Sequence, residues 1–403
     1  MNTLATLSSY FRNSALQITG RCVTYAFGAL TVVAFARFTT PAVYGQFTFL
    51  ATLFDIFIIV TYPGMATALV RSVARGFDGT VHEVARTRFK GGLVGSLLLA
   101  GCAFYYGVWG NNPSVALGTG VSAVIFPFHY AFVNYEYFLM GKKRFMEHTV
   151  FKTISIVAMK IVAVVALVLT RKAEVPFIAS IVLGCLFAVW AYARVTKNVK
   201  STIDPEAIPY GFQLTTLSGV SILANKLELI IVPIFFSFEQ LAYFAIAERA
   251  ANEFKFLWAT VSNQMLTRLS ELSPYDAYKK TVARLPLTLL AFAGLTAVSI
   301  AALPFAIPFV LSARYLPSVN LTQLMLAATF ASLTGAYFET YLVSQRKTGE
   351  LAALRFVFPV TFLGTLPLGA HYFGVLGIIF AKMIAGAVYS IVAVALARRV
   401  QLA

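Results

Sequence analysis

Charge is scarce in this chain, and acids are scarcest. Asp and Glu number 16 among 403 residues, and all charged side chains together make up 12%. A soluble domain carries about a quarter. So thin a supply excludes an ordinary water-facing surface and sets most of the 59% apolar residues against lipid. Cysteine is nearly missing. Cys22, Cys102 and Cys185 each fall inside an apolar stretch and read as small packing residues, so no disulfide framework is expected. The phosphate-binding pattern GxxxxGKS/T is absent, which excludes a built-in ATPase of that kind. There is no metal-ligand cluster in the sequence. No loop carries paired carboxylates, or a nucleophile with a histidine, on the scale of an active site. Neither an enzyme nor a cofactor is expected. Nor is a cleavable signal peptide: the first apolar stretch, 16–38, is too long for one and lacks a small-residue cleavage pattern.

Apolar runs, by contrast, are plentiful. A bilayer core of about 30 Å takes roughly 20 apolar residues per helix. Twelve stretches meet that length: 16–38, 47–70, 91–109, 115–140, 149–170, 176–196, 211–235, 241–266, 286–311, 319–343, 351–373 and 375–397. The expected fold is an all-α integral membrane protein with twelve transmembrane helices. Basic residues crowd alternate loops: Arg71, Arg75, Arg86, Arg88 and Lys90; Lys142, Lys143 and Arg144; Arg194, Lys197 and Lys200; Arg268, Lys279, Lys280 and Arg284; Arg346 and Lys347. The intervening loops hold only Arg37, Arg171, Lys172 and Arg314. The positive-inside rule then puts both termini in the cytoplasm. Most of the net charge of +16 is this topology signal, and nucleic acid is not an expected partner.

The two halves of the chain repeat each other. Phe38-Thr39-Thr40-Pro41-Ala42-Val43-Tyr44-Gly45-Gln46-Phe47 is echoed by Phe236-Ser237-Phe238-Glu239-Gln240-Leu241-Ala242-Tyr243-Phe244-Ala245. The same spacing sets Asp55 on Glu253. Farther on, Asn134-Tyr135-Glu136-Tyr137-Phe138-Leu139 matches Tyr337-Phe338-Glu339-Thr340-Tyr341-Leu342, and that register pairs Lys152 with Arg355. The division expected is an N-terminal six-helix lobe (1–200), a cytoplasmic linker with Pro205 and Pro209 (201–210) and a C-terminal six-helix lobe (211–403). Both lobes start and end on the same side, so their pseudo-symmetry axis runs along the membrane normal. Such repeats mark transporters that rock one bundle against another.

Charges within apolar stretches are costly and functional by default. The bases are Arg21, Lys152, Lys160, Lys226, Arg249, Lys255, Arg355 and Lys382; the acids are Asp55, Glu136, Glu228, Glu248, Glu253 and Glu339. Glu136, Lys152, Glu339 and Arg355 lie near the cytoplasmic loops. They either pair across the fourth–fifth and tenth–eleventh hairpins or form a cytoplasmic gate. The charges around Glu253 are either a pinning network or a cavity wall, where bases hold an anionic headgroup and acids take up an ion. Arg249 and Glu253 are spaced to pair on one helix face. Lys160 and Lys382 fall at mid-helix with no acid nearby in sequence, and are assigned to the cavity. Arg21 fits a cavity or a snorkelling position equally. Asp55 has no base on its own helix, which makes it a better ion-coupling candidate than Glu253. Glu228 is the third acid in that set. His129 reads as a packing residue, and Pro63-Gly64 and Pro304 with Pro308 read as kinks or hinges.

Arg37-Phe38-Thr39-Thr40-Pro41-Ala42-Val43-Tyr44-Gly45-Gln46-Phe47 resembles the opening pattern of polysaccharide and O-antigen flippases of the multidrug/oligosaccharidyl-lipid/polysaccharide exporter superfamily. Tyr243-Phe244-Ala245-Ile246-Ala247, followed by Leu269-Ser270-Glu271-Leu272, is similar to the family's eighth-helix signature. The resemblance implies two pseudo-symmetric lobes around a cavity, alternating access and a bacterial inner-membrane location. It implies undecaprenyl-pyrophosphate-linked oligosaccharide as substrate, membrane lipid, a polysaccharide polymerase and a chain-length regulator as partners, and H⁺ or Na⁺ as coupling ion. The family often has an acid on helix seven where this chain reads Lys226-Leu227-Glu228, so the ion stays open. A diphosphate needs fixed positive charge, which Arg21, Lys160, Lys226, Arg249, Lys255 and Lys382 would supply. An ion-coupled multidrug exporter of the same fold would want acids without so many bases. A membrane polymerase or ligase would want a large outer loop, and this chain has none.

Overall fold

The computed structural model describes residues 2–402, with side chains described from 18 to 401 except 217, 218, 220, 221, 224 and 225. Every regular element among the described residues is helical. The chain forms two compact units, Met1–Ile230 and Ile231–Ala403. The first holds α1 (Asn2–Phe38), α2 (Pro41–Ile56), α3 (Met65–Ala74), α4 (Thr80–Val108), α5 (Pro113–Phe132), α6 (Tyr135–Gly141), α7 (Phe145–Thr170) and α8 (Glu174–Thr196). A further helix, α9 (Ala207–Phe235), begins in this unit and runs past its boundary. The second unit holds α10 (Phe238–Leu269), α11 (Pro274–Val310), α12 (Ser318–Ala331), α13 (Leu333–Ser344) and α14 (Thr348–Leu402). The unit boundary falls inside α9, whereas the lobe division proposed from the repeat falls in the linker before it.

This is a multi-pass membrane protein. Among the described residues, nine helical segments are long and apolar enough to cross a membrane. The last of them is 54 residues long, far more than one crossing needs. It turns at Gly374, whose φ of 62° and ψ of −140° only glycine adopts readily. The expected count of twelve rests on reading α14 as two spans and on adding α9 and α10. Charge on α10, from Glu239 to Arg268, lowers its hydropathy. Its 32 residues still extend about 48 Å.

Helix ends follow local chemistry. Pro41, Pro113 and Pro274 each occupy a first-turn position, where a missing N–H costs nothing. Asn112 and Ser273 cap their helices by accepting from the Val115 and Asp276 amides at 3.1 and 3.2 Å. Ser237 caps α10 by accepting from the Gln240 amide.

Several spans are broken rather than continuous. After α2 the chain tightens into a 3₁₀ turn, Phe57–Thr61, and Tyr62 takes a left-handed conformation at φ 57°. Pro63 explains the stop, because the residue before a proline avoids the helical region. Val133-Asn134 separates α5 from α6, and Ser332 separates α12 from α13. Of the expected kinks, Pro63-Gly64 is a real break, whereas Pro304 and Pro308 lie within an uninterrupted α11.

The repeated hexapeptide builds an apolar cluster in each unit. Tyr135, Phe138 and Leu139 are buried in one apolar cluster with Met65, Leu69 and Val84. Phe338, Tyr341 and Leu342 are buried in another with Leu269, Leu354 and Ala393. Their i, i+3, i+4 spacing puts these side chains on one helix face.

The linker segment lies on the α3–α4 turn. The Gly79 amide donates to the Thr202 carbonyl at 2.8 Å, and the Asp204 amide donates to Thr80 Oγ1 at 2.9 Å. Ser72 Oγ donates to Asp204 Oδ2 at 2.7 Å. That bond, aided by the Glu206 amide and by Arg75 and Arg71, holds the Asp204 carboxyl below its ordinary value against the opposing effect of burial.

Candidate anion and ion-pair sites

The hexapeptide that buries its aromatic residues also presents a carboxylate in each unit. Lys152 Nζ on α7 lies 2.9 Å from Glu136 Oε2 on α6. Arg355 Nε on α14 lies 3.5 Å from Glu339 Oε1 on α13. The repeat thus reappears as two ion pairs at matching positions. Each acid has a second partner that the repeat does not share. His148 Nε2 sits 3.8 Å from Glu136 Oε2, and the Tyr389 hydroxyl donates to Glu339 Oε2 at 2.6 Å. The acids are more covered than their bases: 14% against 47% for Glu136 and Lys152, and 29% against 68% for Glu339 and Arg355.

Beside the first pair lies a pocket of about 120 Å³ between α1 and α7. It is lined by Gly20, Arg21, Thr24, His148, Thr149, Lys152, Thr153 and Ile156. Arg21 therefore joins Lys152, rather than the charges of the seventh and eighth segments.

Asp55 has a basic partner from a distant stretch of the chain. No base lies on its own helix, but Lys226 on α9 reaches Asp55 Oδ2 at 3.2 Å. Both side chains are substantially exposed. Glu253 is exposed, Arg249 is half-buried, and no ion pair joins them among the described residues. Asp55 thus has no base on its own helix, as the sequence reads, but has one from α9, and Glu253, expected to lean towards an ion pair, makes none with Arg249 among the described residues. Glu228 is buried on α9, Lys255 is exposed on α10, and Lys160 is half-buried on α7. Lys382 Nζ lies 5.6 Å from the centre of the Phe244 ring, within cation–π range. His129 packs against Phe54 and Tyr130 as expected of a packing residue, although its Nδ1 is buried without a hydrogen-bond partner.

The sequence neighbourhood of Arg88 points to a loop. The residue is instead 1% exposed, inside α4. Its Nε donates to the Thr61 carbonyl at 3.2 Å, Nη1 to Asn134 Oδ1 at 2.8 Å and Nη2 to Thr61 Oγ1 at 3.4 Å. The guanidinium also faces the Tyr130 ring at 5.8 Å. Thr61 ends the 3₁₀ turn after α2, and Asn134 sits at the α5–α6 break. One side chain therefore serves two helix breaks, where backbone groups lack their regular partners. The signal was present in the sequence: Val81, Val84, Ala85 and Arg88 form an i, i+3, i+4, i+7 stripe, and all four are buried.

A family model described as "Polysaccharide biosynthesis protein" matches residues 10–261. The chain belongs to that family. Among solved structures, an inward-facing multidrug resistance MATE transporter of the MOP superfamily matches with a TM-score of 0.71 at 13% identity. That match covers 94% of this chain and 95% of the other. The lipid II flippase MurJ, in an inward closed conformation, matches with a TM-score of 0.72 at 14% identity, over 96% and 90% of the two chains. The Vibrio cholerae MATE transporter VcmN, in its bent form, matches at 0.52 and 14%, over 97% and 98%. No curated protein sequence matches. The family member described here thus has the MATE/MOP fold, with two similar halves each carrying an acid–base pair at the same repeat position.

Proposed function

We propose that this protein is a flippase for undecaprenyl-pyrophosphate-linked oligosaccharide repeat units, moving them by alternating access from the cytoplasmic to the outer leaflet of a bacterial inner membrane. The observation that carries the reading is membership of the polysaccharide biosynthesis family in a chain that keeps many bases within its helices. The MurJ likeness supports the fold such a carrier would use. A lipid-linked diphosphate needs fixed cations for its head, while its tail stays in lipid. Arg21, Lys160, Lys226, Arg249, Lys255 and Lys382 are the cations proposed for that head. The Glu136–Lys152 and Glu339–Arg355 pairs are proposed as the cytoplasmic gate, since each ties neighbouring helices by a bond that one swinging base can release. Asp55, Glu228 and Glu253 are the acids proposed for coupling to H⁺ or Na⁺. Asp55 has the clearest arrangement for it: an ion bound there must displace Lys226. Polymer synthesis places a polymerase and a chain-length regulator downstream.

Deletion of the gene tests the reading. The expected result is loss of surface polymer with accumulation of complete lipid-linked repeat units on the cytoplasmic face. Unchanged polymer with raised drug sensitivity would favour an ion-coupled multidrug exporter, the reading that the MATE likenesses support.

A further inference from the structure

The lining of the pocket between α1 and α7 carries two basic side chains and no acid. Arg21 and Lys152 line it, and His148 adds ring nitrogens. Glu136 is the carboxylate in contact, and it reaches Lys152 and His148. Arg21 has no carboxylate partner among the described residues, and its charge repels that of Lys152. Thr24 and Thr149 spend their hydroxyl hydrogens on the Arg21 and Phe145 carbonyls at 2.8 and 2.9 Å, so the charged donors left to the pocket are Arg21 and Lys152. Thr24 and Arg21 come from α1; Thr149, Lys152 and Thr153 come from α7, one helical turn apart. Gly20 makes the approach of these helices possible. A Cβ there would lie 2.7 Å from Thr153 Oγ1 and 2.8 Å from Thr149 Cγ2. At about 120 Å³ the space admits a phosphate or diphosphate.

We infer that this pocket binds a phosphate group, and that the bound phosphate competes with Glu136 for the Lys152 ammonium. Arg21 offers a planar fork to two phosphate oxygens, and Lys152 offers a point charge from the facing helix. Lys152 is the member free to turn, because it is about half exposed while Glu136 is mostly covered. Arrival of a phosphate therefore loosens the α6–α7 tie as it bridges α1 to α7. The inference rests on the flippase reading only in supposing that the phosphate belongs to a carried lipid; the recognition chemistry is the same for a free anion.

Binding to the purified full-length protein in a phosphate-free maltoside detergent tests it, with three separate probes. Farnesyl diphosphate stands for a prenyl-linked head, inorganic pyrophosphate for a free anion and phosphatidylglycerol for a bilayer lipid. Saturable binding of at least one probe is expected. Arg21→Ala and Lys152→Ala should each weaken it roughly tenfold to a hundredfold. Gly20→Val, which forces α1 and α7 apart at the pocket and leaves every charge in the chain, should abolish it. Glu136→Gln, which releases Lys152, should tighten it roughly threefold to tenfold. Lys279→Ala, an exposed change near the start of α11 and outside the pocket, should leave it unaltered. Thermal melts of each variant identify any that fail to fold, and Glu136→Gln stays decisive because a damaged fold does not tighten binding. No binding of any probe, binding indifferent to Arg21, Lys152 and Gly20, or a Glu136→Gln affinity that is unchanged or weaker would each overturn the inference. The flippase reading fails separately, if deletion of the gene leaves polymer intact while phosphate binding still follows these variants.

Discussion

Replacing Arg88 by Met probes how the broken helices are held. The side chain fits a similar path but donates nothing. The Thr61 carbonyl and Asn134 Oδ1, now bonded at 3.2 and 2.8 Å, lose a buried donor. Each orphaned acceptor costs about 1–3 kcal/mol. Against this, the variant no longer buries a guanidinium, whose desolvation costs several kcal/mol. Three hydrogen bonds and a Tyr130 ring offset that cost in the wild type without any carboxylate. The two effects partly cancel, and a net loss of about 1–3 kcal/mol is expected. A double-mutant cycle isolates the hydrogen-bond part. Asn134→Leu in the Arg88→Met background removes one orphaned acceptor, so it should be about 1–2 kcal/mol less damaging there than in the wild type. Arg88→Lys keeps the charge but cannot span both acceptors with one ammonium, and should destabilise measurably as well. Denaturant titrations in detergent micelles, followed by Trp fluorescence, give the four stabilities. Additive losses in the cycle would refute the claim that Arg88 joins the two breaks.

Charge exchange tests the repeated pairs at the one that lies outside the α1–α7 pocket. Glu339→Arg or Arg355→Glu alone should cut polymer export, and the two together should restore much of it; a double variant as poor as either single one would remove the pairing from the mechanism. Asp204 should carry a pH signature. Its carboxyl is held below the ordinary value, chiefly by the Ser72 hydroxyl, so its stabilising effect is present above the unfolded carboxylate range and is lost as pH falls through the lowered value. The melting temperature of wild type should therefore exceed that of Asp204→Asn at roughly pH 5 and converge with it towards pH 3; a constant difference would contradict that bond. Asp55→Asn should leave the fold intact and uncouple transport from an imposed ion gradient in liposomes, whereas gradient-driven transport at the wild-type rate would leave Asp55 with packing alone. Reporter fusions after Ala403 and after Asn112 test orientation: activity of a periplasmic reporter at Asn112 and silence at Ala403 are expected, and the reverse would invert the topology.

How much of this was readable beforehand depends on whether a feature is local. Long apolar runs announce helices, and Asn112-Pro113 and Ser273-Pro274 announce their starts. The repeated ion pairs are legible because the repeat matches Glu136 with Glu339 and Lys152 with Arg355, and each acid faces its base across one short hairpin. Features that need distant helices were not legible. Lys226 meets Asp55 across 171 residues of chain, and no period or motif links them. The i, i+4 spacing of Arg249 and Glu253 permits a pair, yet with Glu253 exposed to its surroundings such a pair gains little by closing. Arg88 was misplaced for a different reason. It stands in a run of charges, so composition suggested a loop, while its stripe with Val81, Val84 and Ala85 pointed to a helix already under way. His148 was overlooked because its role depends on Glu136, which reaches it only once α6 and α7 fold back on each other.

The central claim is that this chain carries a phosphate-linked lipid head across a bilayer. Purified protein in liposomes, loaded with a fluorescent sugar on a short prenyl diphosphate in both leaflets, tests it directly. A membrane-impermeant quencher added outside reports how much probe becomes reachable. With active protein, quenching should continue beyond the outer-leaflet fraction towards completion, and the further phase should fall sharply with Lys152→Glu. Quenching that stops at the outer-leaflet fraction, as in protein-free liposomes, would contradict the account.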